Sequence, residues 1–201
     1  GLIIATEQGA FSSAAAQPQN LYMQPAMGSW VAQTQVTFSA TPSASNQQAG
    51  LIIYDTDQNY IRFVYERPTS GSTNVVRVYS VVDGVQSQIN SANLDAQTSV
   101  YFQIVKQGNV YSFKYSTNGS TWTTFSKTVT AYFAFPQIGL WANNGDVSAA
   151  SINASFEKLS IYEPEELYPR LSSISVNGVK LAAFSPETFS YNFEVSEGET
   201  G

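Results

Sequence analysis

The chain has 201 residues, with 9 Lys+Arg against 15 Asp+Glu, a net charge of −6, and neither His nor Cys. Lacking both residue types, it has no Ser-His-Asp or Cys-His nucleophile, no imidazole proton shuttle and no ordinary zinc or iron–sulfur centre; a metal here would be hard and oxygen-bound, calcium first. The acidic balance excludes an electrostatic partnership with DNA or RNA, and no apolar run approaches the ~20 residues of a membrane helix.

Period-two patterning starts early and recurs along the chain. Thr34, Val36 and Phe38 alternate with Gln33, Gln35 and Thr37. Ile61, Phe63 and Tyr65 alternate with Tyr60, Arg62, Val64 and Glu66. Arg77 and Tyr79 take outward positions on a further strand, ahead of the turn pair Asp83-Gly84. Val100, Phe102 and Ile104 alternate with Tyr101, Gln103 and Val105. Gln107-Gly108-Asn109 leads into Tyr111, Phe113 and Tyr115, and Asn118-Gly119 marks the next hairpin. Ile138, Leu140 and Ala142 alternate with Gln137, Gly139 and Trp141. Asn-Gly and Asp-Gly supply the positive φ that tight hairpins need. Many short strands with such turns, and no convincing long amphipathic helix, predict an all-β chain: a two-sheet antiparallel jelly-roll sandwich over residues 1–162.

In Phe156-Glu157-Lys158-Leu159-Ser160-Ile161 the alternation breaks, which predicts a β-bulge near Glu157. Residues 163–168, proline-containing and acidic, read as a linker. Strand-like runs follow at Ser172–Asn177 and Thr188–Val195, so residues 169–201 read as an incomplete β module, too small to bury a core of its own. Its apolar residues, Ile174, Leu181 and Phe193 among them, require a cover. The expected cover is the same segment of a second copy, a dimer through residues 169–201. Gly1 is not a natural start, so the chain is expected to be a piece of something longer.

Four stretches of residues 1–162 resemble the concanavalin A-like jelly-roll module at the C-terminus of bacterial β-xylosidases. Asn20–Gln24 followed by Trp30–Phe38 is similar to the module's early strand pair, and Gln48–Asp55 to its Ala-Gly-Leu strand. Phe113–Trp122 is similar to its Asn-Gly hairpin, and Ile138–Ala142 with Ala154–Leu159 to its closing strands. The tail, Leu171–Gly178 and Phe184–Tyr191, resembles the start of bacterial cadherin-like repeats, an Ig-like β-sandwich. The combination implies a slice of an extracellular, secreted or cell-surface, multi-modular bacterial protein that acts on or holds polysaccharide. The resemblance also implies one structural calcium ion, held by Glu157 and completed by an acidic residue or carbonyls of the first strand, with Glu7 as that first-strand partner.

Concanavalin A-like hydrolases carry Glu-x-Asp-x-x-Glu on one strand, and no such pattern precedes the linker, so the module is expected to be non-catalytic. Asp55, Asp57, Asn59 and Glu66 have the spacing of a calcium-binding EF-hand loop, but Tyr60 stands where that loop needs glycine, and the stretch reads as a turn. Outward positions collect aromatic and polar residues: Tyr60, Arg62, Glu66, Arg77, Tyr79, Tyr101, Gln103, Gln137, Trp141 and Asn143. If their strands share one sheet, that face suits a glycan, whose C–H faces stack on rings and whose hydroxyls take hydrogen bonds. The expected function is therefore non-catalytic polysaccharide binding beside neighbouring modules of the same polypeptide. The alternative is a structural accessory domain packed on a glycosidase catalytic domain, with Tyr and Trp on the strands for packing alone.

Overall fold

The computed structural model describes residues 1–9, 20–69, 73–95, 97–145, 149–164, 175–176 and 179–180. The chain divides into two compact units, Gly1–Pro164 and Glu165–Gly201. The first is an antiparallel jelly-roll sandwich, with no helix among the described residues. Its six-stranded sheet runs β2 (Leu21–Pro25), β12 (Gln137–Asn143), β4 (Gln48–Thr56), β5 (Asn59–Glu66), β6 (Val75–Val82), β7 (Val85–Asn93). The opposing sheet runs β1 (Leu2–Ala5), β13 (Asn153–Phe156), β3 (Trp30–Phe38), β8 (Ser99–Gln107), β9 (Val110–Ser116), β10 (Thr123–Thr124). On it, β11 (Val129–Thr130) also pairs with β9, and β14 (Ser160–Tyr162) with β3.

Alternation decides which face each strand buries. Ile61, Phe63 and Tyr65 of β5 meet Val100, Phe102 and Ile104 of β8 in one core. Phe63 sits at its centre, edge-on to Phe102 at 4.9 Å and to Phe113 at 5.4 Å. Each such aromatic pair adds about 1 kcal/mol beyond the area it buries. The turns follow the sequence: Asp83 and Gly84 both adopt positive φ, 51° and 77°, as a two-residue hairpin with the strands' own twist requires.

The bulge falls where alternation breaks. Phe156 opposes Val36 and Ser160 opposes Gln33, so residues 157–159 face only 34–35. Asn20–Gln24 and Trp30–Phe38, consecutive in the chain, lie in different sheets: β2 joins β12 in one while β3 joins β8 and β13 in the other. In the second unit, Ser175–Val176 (β15) pairs antiparallel with Val179–Lys180 (β16). The expected strand Thr188–Val195, and most apolar residues behind the expected dimer, lie outside the described residues.

Candidate functional site

Eight of the ten residues selected by alternation share the outer face of the six-stranded sheet: Tyr60, Arg62 and Glu66 on β5, Arg77 and Tyr79 on β6, Gln137, Trp141 and Asn143 on β12. Register makes them neighbours. Arg62 opposes Tyr79, Val64 opposes both Arg77 and Gly50, and Gly50 opposes Trp141. Tyr101 and Gln103 do not join them. They stand on β8, opposite Gln35 and Gln33 of β3, on the other sheet. The single ten-residue face is corrected accordingly, since alternation separates inside from outside but not one sheet from the other.

Nor is the face an open aromatic platform. Trp141 is 2% and Tyr60 8% exposed. With Ile52, Val64 and Val81 they form a second buried cluster, against which Leu21, Met23 and Tyr54 pack. Gly50 permits this arrangement. A Cβ there would lie 2.1 Å from the Phe63 carbonyl oxygen, and the bare position sits between Trp141 and Val64. Glu66 and Asn143 are also buried, and the Asn143 side-chain oxygen accepts the Gly145 N–H, tying down the following turn.

On this apolar floor lies a fixed polar array. Arg77 Nη1 donates to Glu66 Oε1 at 2.7 Å and to the Tyr79 hydroxyl at 2.8 Å; that hydroxyl donates to Glu66 Oε1 at 2.9 Å. Burial, and then the Glu66 charge, raise the Tyr79 pKa, so its hydroxyl keeps its proton and its donor role. The Arg62 guanidinium carbon lies 4.1 Å from the Tyr79 ring centroid and 5.5 Å from that of Trp141. Its Nη1 donates to Gln48 Oε1 at 3.3 Å and its Nη2 to Gln86 Oε1 at 3.0 Å. The aromatic rings thus hold a cation in place.

Glu7 and Glu157 do not share a site. Leu2 opposes Phe156 and Ala5 opposes Asn153, so Glu157 lies beside Gly1 while Glu7 bridges to Asn143 beyond the far end of β1. At ~3.3 Å per residue the two are roughly 20 Å apart, whereas calcium ligands converge within ~2.6 Å of one ion. The residues named for calcium therefore do not fit it together. Among the described residues no cluster of three acidic side chains could hold a metal.

One surface has no counterpart in the sequence reading. Met27, Val85, Tyr132 and Phe135, each at least 64% exposed, lie at one end of the sandwich, with Met27 and Val85 toward opposite edges of the six-stranded sheet. Their loops are braced against one another. Asp55 accepts the Phe135 N–H at 2.8 Å, Ala26 N–H bonds Pro136 O at 2.9 Å, and Gly84 N–H bonds Gln58 O at 2.9 Å. The signal was Ala131–Pro136, an apolar run with no period that ends at proline.

The family described as "Beta xylosidase C-terminal Concanavalin A-like domain" matches residues 6–144. Among curated proteins none matches. Solved structures do. A variant of the GH43 protein BlXynB from Bacillus licheniformis aligns at TM-score 0.69 and 20% identity, over 81% of this chain and 33% of that one. The Bacteroides ovatus xyloglucan PUL GH43B aligns at 0.66 and 16%, over 81% and 32%. The xylan β-1,4-xylosidase of Bacillus halodurans C-125 aligns at 0.64 and 14%, over 77% and 32%. The chain thus spans about a third of the length of each of these structures. The family match stops at residue 144, so the likeness of the tail to cadherin-like repeats rests on its sequence alone.

Proposed function

Because the chain belongs to the family of β-xylosidase C-terminal concanavalin A-like domains, accessory to the catalytic part of GH43 glycoside hydrolases, we propose that it binds polysaccharide through the outer face of its six-stranded sheet without cleaving it. The array of Arg62, Tyr79, Arg77 and Glu66 carries this reading. It holds donors and acceptors in fixed positions on one sheet face, and sugar hydroxyls present the same mixture. Relatives named for xylan and xyloglucan make plant cell-wall glycan the first class to try. A polymeric substrate also calls for an extracellular setting. The test is affinity electrophoresis of the chain in xylan, arabinan, glucan, fructan and mannan gels. We expect retardation by at least one, lost in the double variant Tyr79→Ala/Gln86→Ala. No retardation in any gel, or retardation unchanged in that variant, rejects the face.

A specific observation favours a second role beside the first. Exposed Tyr132 and Phe135, on a loop braced by Asp55, form a rigid apolar end of the kind that docks on another protein surface. Here the accessory domain would pack on a glycosidase catalytic domain of the same polypeptide. Replacing both aromatics with Ser should leave the melting temperature of the isolated chain within a few degrees while weakening association with that domain. Unchanged association would remove this reading.

A further inference from the structure

We infer that the glycan bound at this face is acidic, and that Arg62 receives a uronate carboxylate. The inference rests on the glycan-binding reading above and deepens it. Two guanidinium groups share the face, and they differ in charge balance. Arg77 is neutralised by Glu66 at 2.7 Å, an ion pair with both side chains largely buried. Arg62 has no carboxylate partner among the described residues; its hydrogen bonds go to the amide oxygens of Gln48 and Gln86. The array therefore carries one uncompensated positive charge, in a chain whose net charge is −6.

Its presentation suits a carboxylate. Tyr79 and Trp141 fix the guanidinium against their rings, so little side-chain freedom remains to be lost on binding. Each terminal nitrogen uses one N–H on a glutamine and keeps a second. Two N–H groups held in a plane are the donor pair that a carboxylate accepts in bidentate fashion. Stacking on Trp141 or Tyr60 cannot set the preference instead, because both rings are buried beneath the array. A neutral sugar would cover Arg62 without compensating its charge, whereas a uronate does both.

The experiment is isothermal titration of the full chain with glucuronoxylan, with the same polymer after carboxyl reduction, and with dextran sulfate. Affinity should fall at least tenfold on carboxyl reduction. The sign is diagnostic, since the net negative charge of the chain opposes any polyanion at long range. Arg62→Gln should erase the difference between the first two polymers. Arg62→Lys, which keeps the charge without the fork, should retain part of it, with circular dichroism confirming that both variants stay folded. Equal affinity for glucuronoxylan and its reduced form overturns the acidic preference while leaving glycan binding intact. Dextran sulfate bound as tightly as glucuronoxylan also overturns it, as non-specific polyanion attraction. Binding to none of the three, together with no retardation in any of the five gels above, overturns the glycan-binding reading itself.

Discussion

Replacing Arg77 with Met should leave Glu66 as a buried charge without its cation. The Glu66 side chain is 3% exposed and the Arg77 side chain 16%, so water compensates little of the loss. Breaking such a pair from one side costs about 3–5 kcal/mol. The Tyr79 hydroxyl still donates to Glu66 Oε1 at 2.9 Å, which places the expectation near the lower end, about 3 kcal/mol. For a domain of this size that corresponds to a fall in melting temperature of roughly 6–12 °C. The cost arises from the stranded carboxylate, so removing its charge as well should reverse most of it. Glu66→Gln/Arg77→Met should recover more than half the loss, because Gln keeps an acceptor for Tyr79 without the charge. Urea denaturation of wild type, both single variants and the double variant completes the cycle. If Arg77→Met costs under 1 kcal/mol, or the second substitution adds to the loss, the pair is not a buried, mutually dependent unit.

Three further outcomes follow from other parts of the fold. Gly50→Val should melt at least 10 °C lower or fail to fold, because any Cβ strikes the Phe63 carbonyl and Val has nowhere to turn; a melting curve near wild type would refute the packing around Trp141. Burial, with help from Asp55, pushes the Tyr111 phenol up to about 12. Below pH ~10 that phenol is neutral in both states and its stabilisation is complete; between pH ~10 and 12 the unfolded chain ionises first and stability falls, by about 3 kcal/mol at most. Tyr111→Phe should therefore lose less stability than wild type over that window, and identical alkaline denaturation curves would count against it. Glu7→Gln should leave the response of the melting temperature to EDTA unchanged, since Glu7 lies too far from Glu157 to share an ion with it; a response present in the wild type and lost in that variant would show the two acting on one metal.

The fold was legible because its evidence is local. Alternation at Ile61, Phe63 and Tyr65 names the buried face of β5 without reference to any other strand, and Asp83-Gly84 names its own turn. Site assembly depends on strand order, which is not local. Tyr101 shows the outward signature of Tyr79, yet β8 and β6 lie in different sheets. Burial on an outer face is equally hidden. Trp141 alternates as a solvent-facing residue should, and only the opposition of Gly50 and Val64 across two neighbouring strands gives its indole an apolar bed. The apolar end at Tyr132 and Phe135 escaped for a different reason: strand and helix templates are silent on an aperiodic run.

The buried rings change what the outward aromatics are for. On an open platform, Trp141 and Tyr60 would bind a sugar directly, and affinity would follow exposed ring area. Here their area is already spent on Ile52, Val64 and Val81, and the exposed chemistry belongs to the groups they support. An arginine on a bare sheet face must give up rotamer freedom when it binds, at roughly 0.5–1.5 kcal/mol for such a side chain. Arg62, stacked on Tyr79 and bonded to Gln48 and Gln86, has given it up during folding. Selectivity at this face should then track the hydrogen-bonding geometry and charge of the ligand, and truncating Tyr79 should weaken binding although its ring need never touch a sugar.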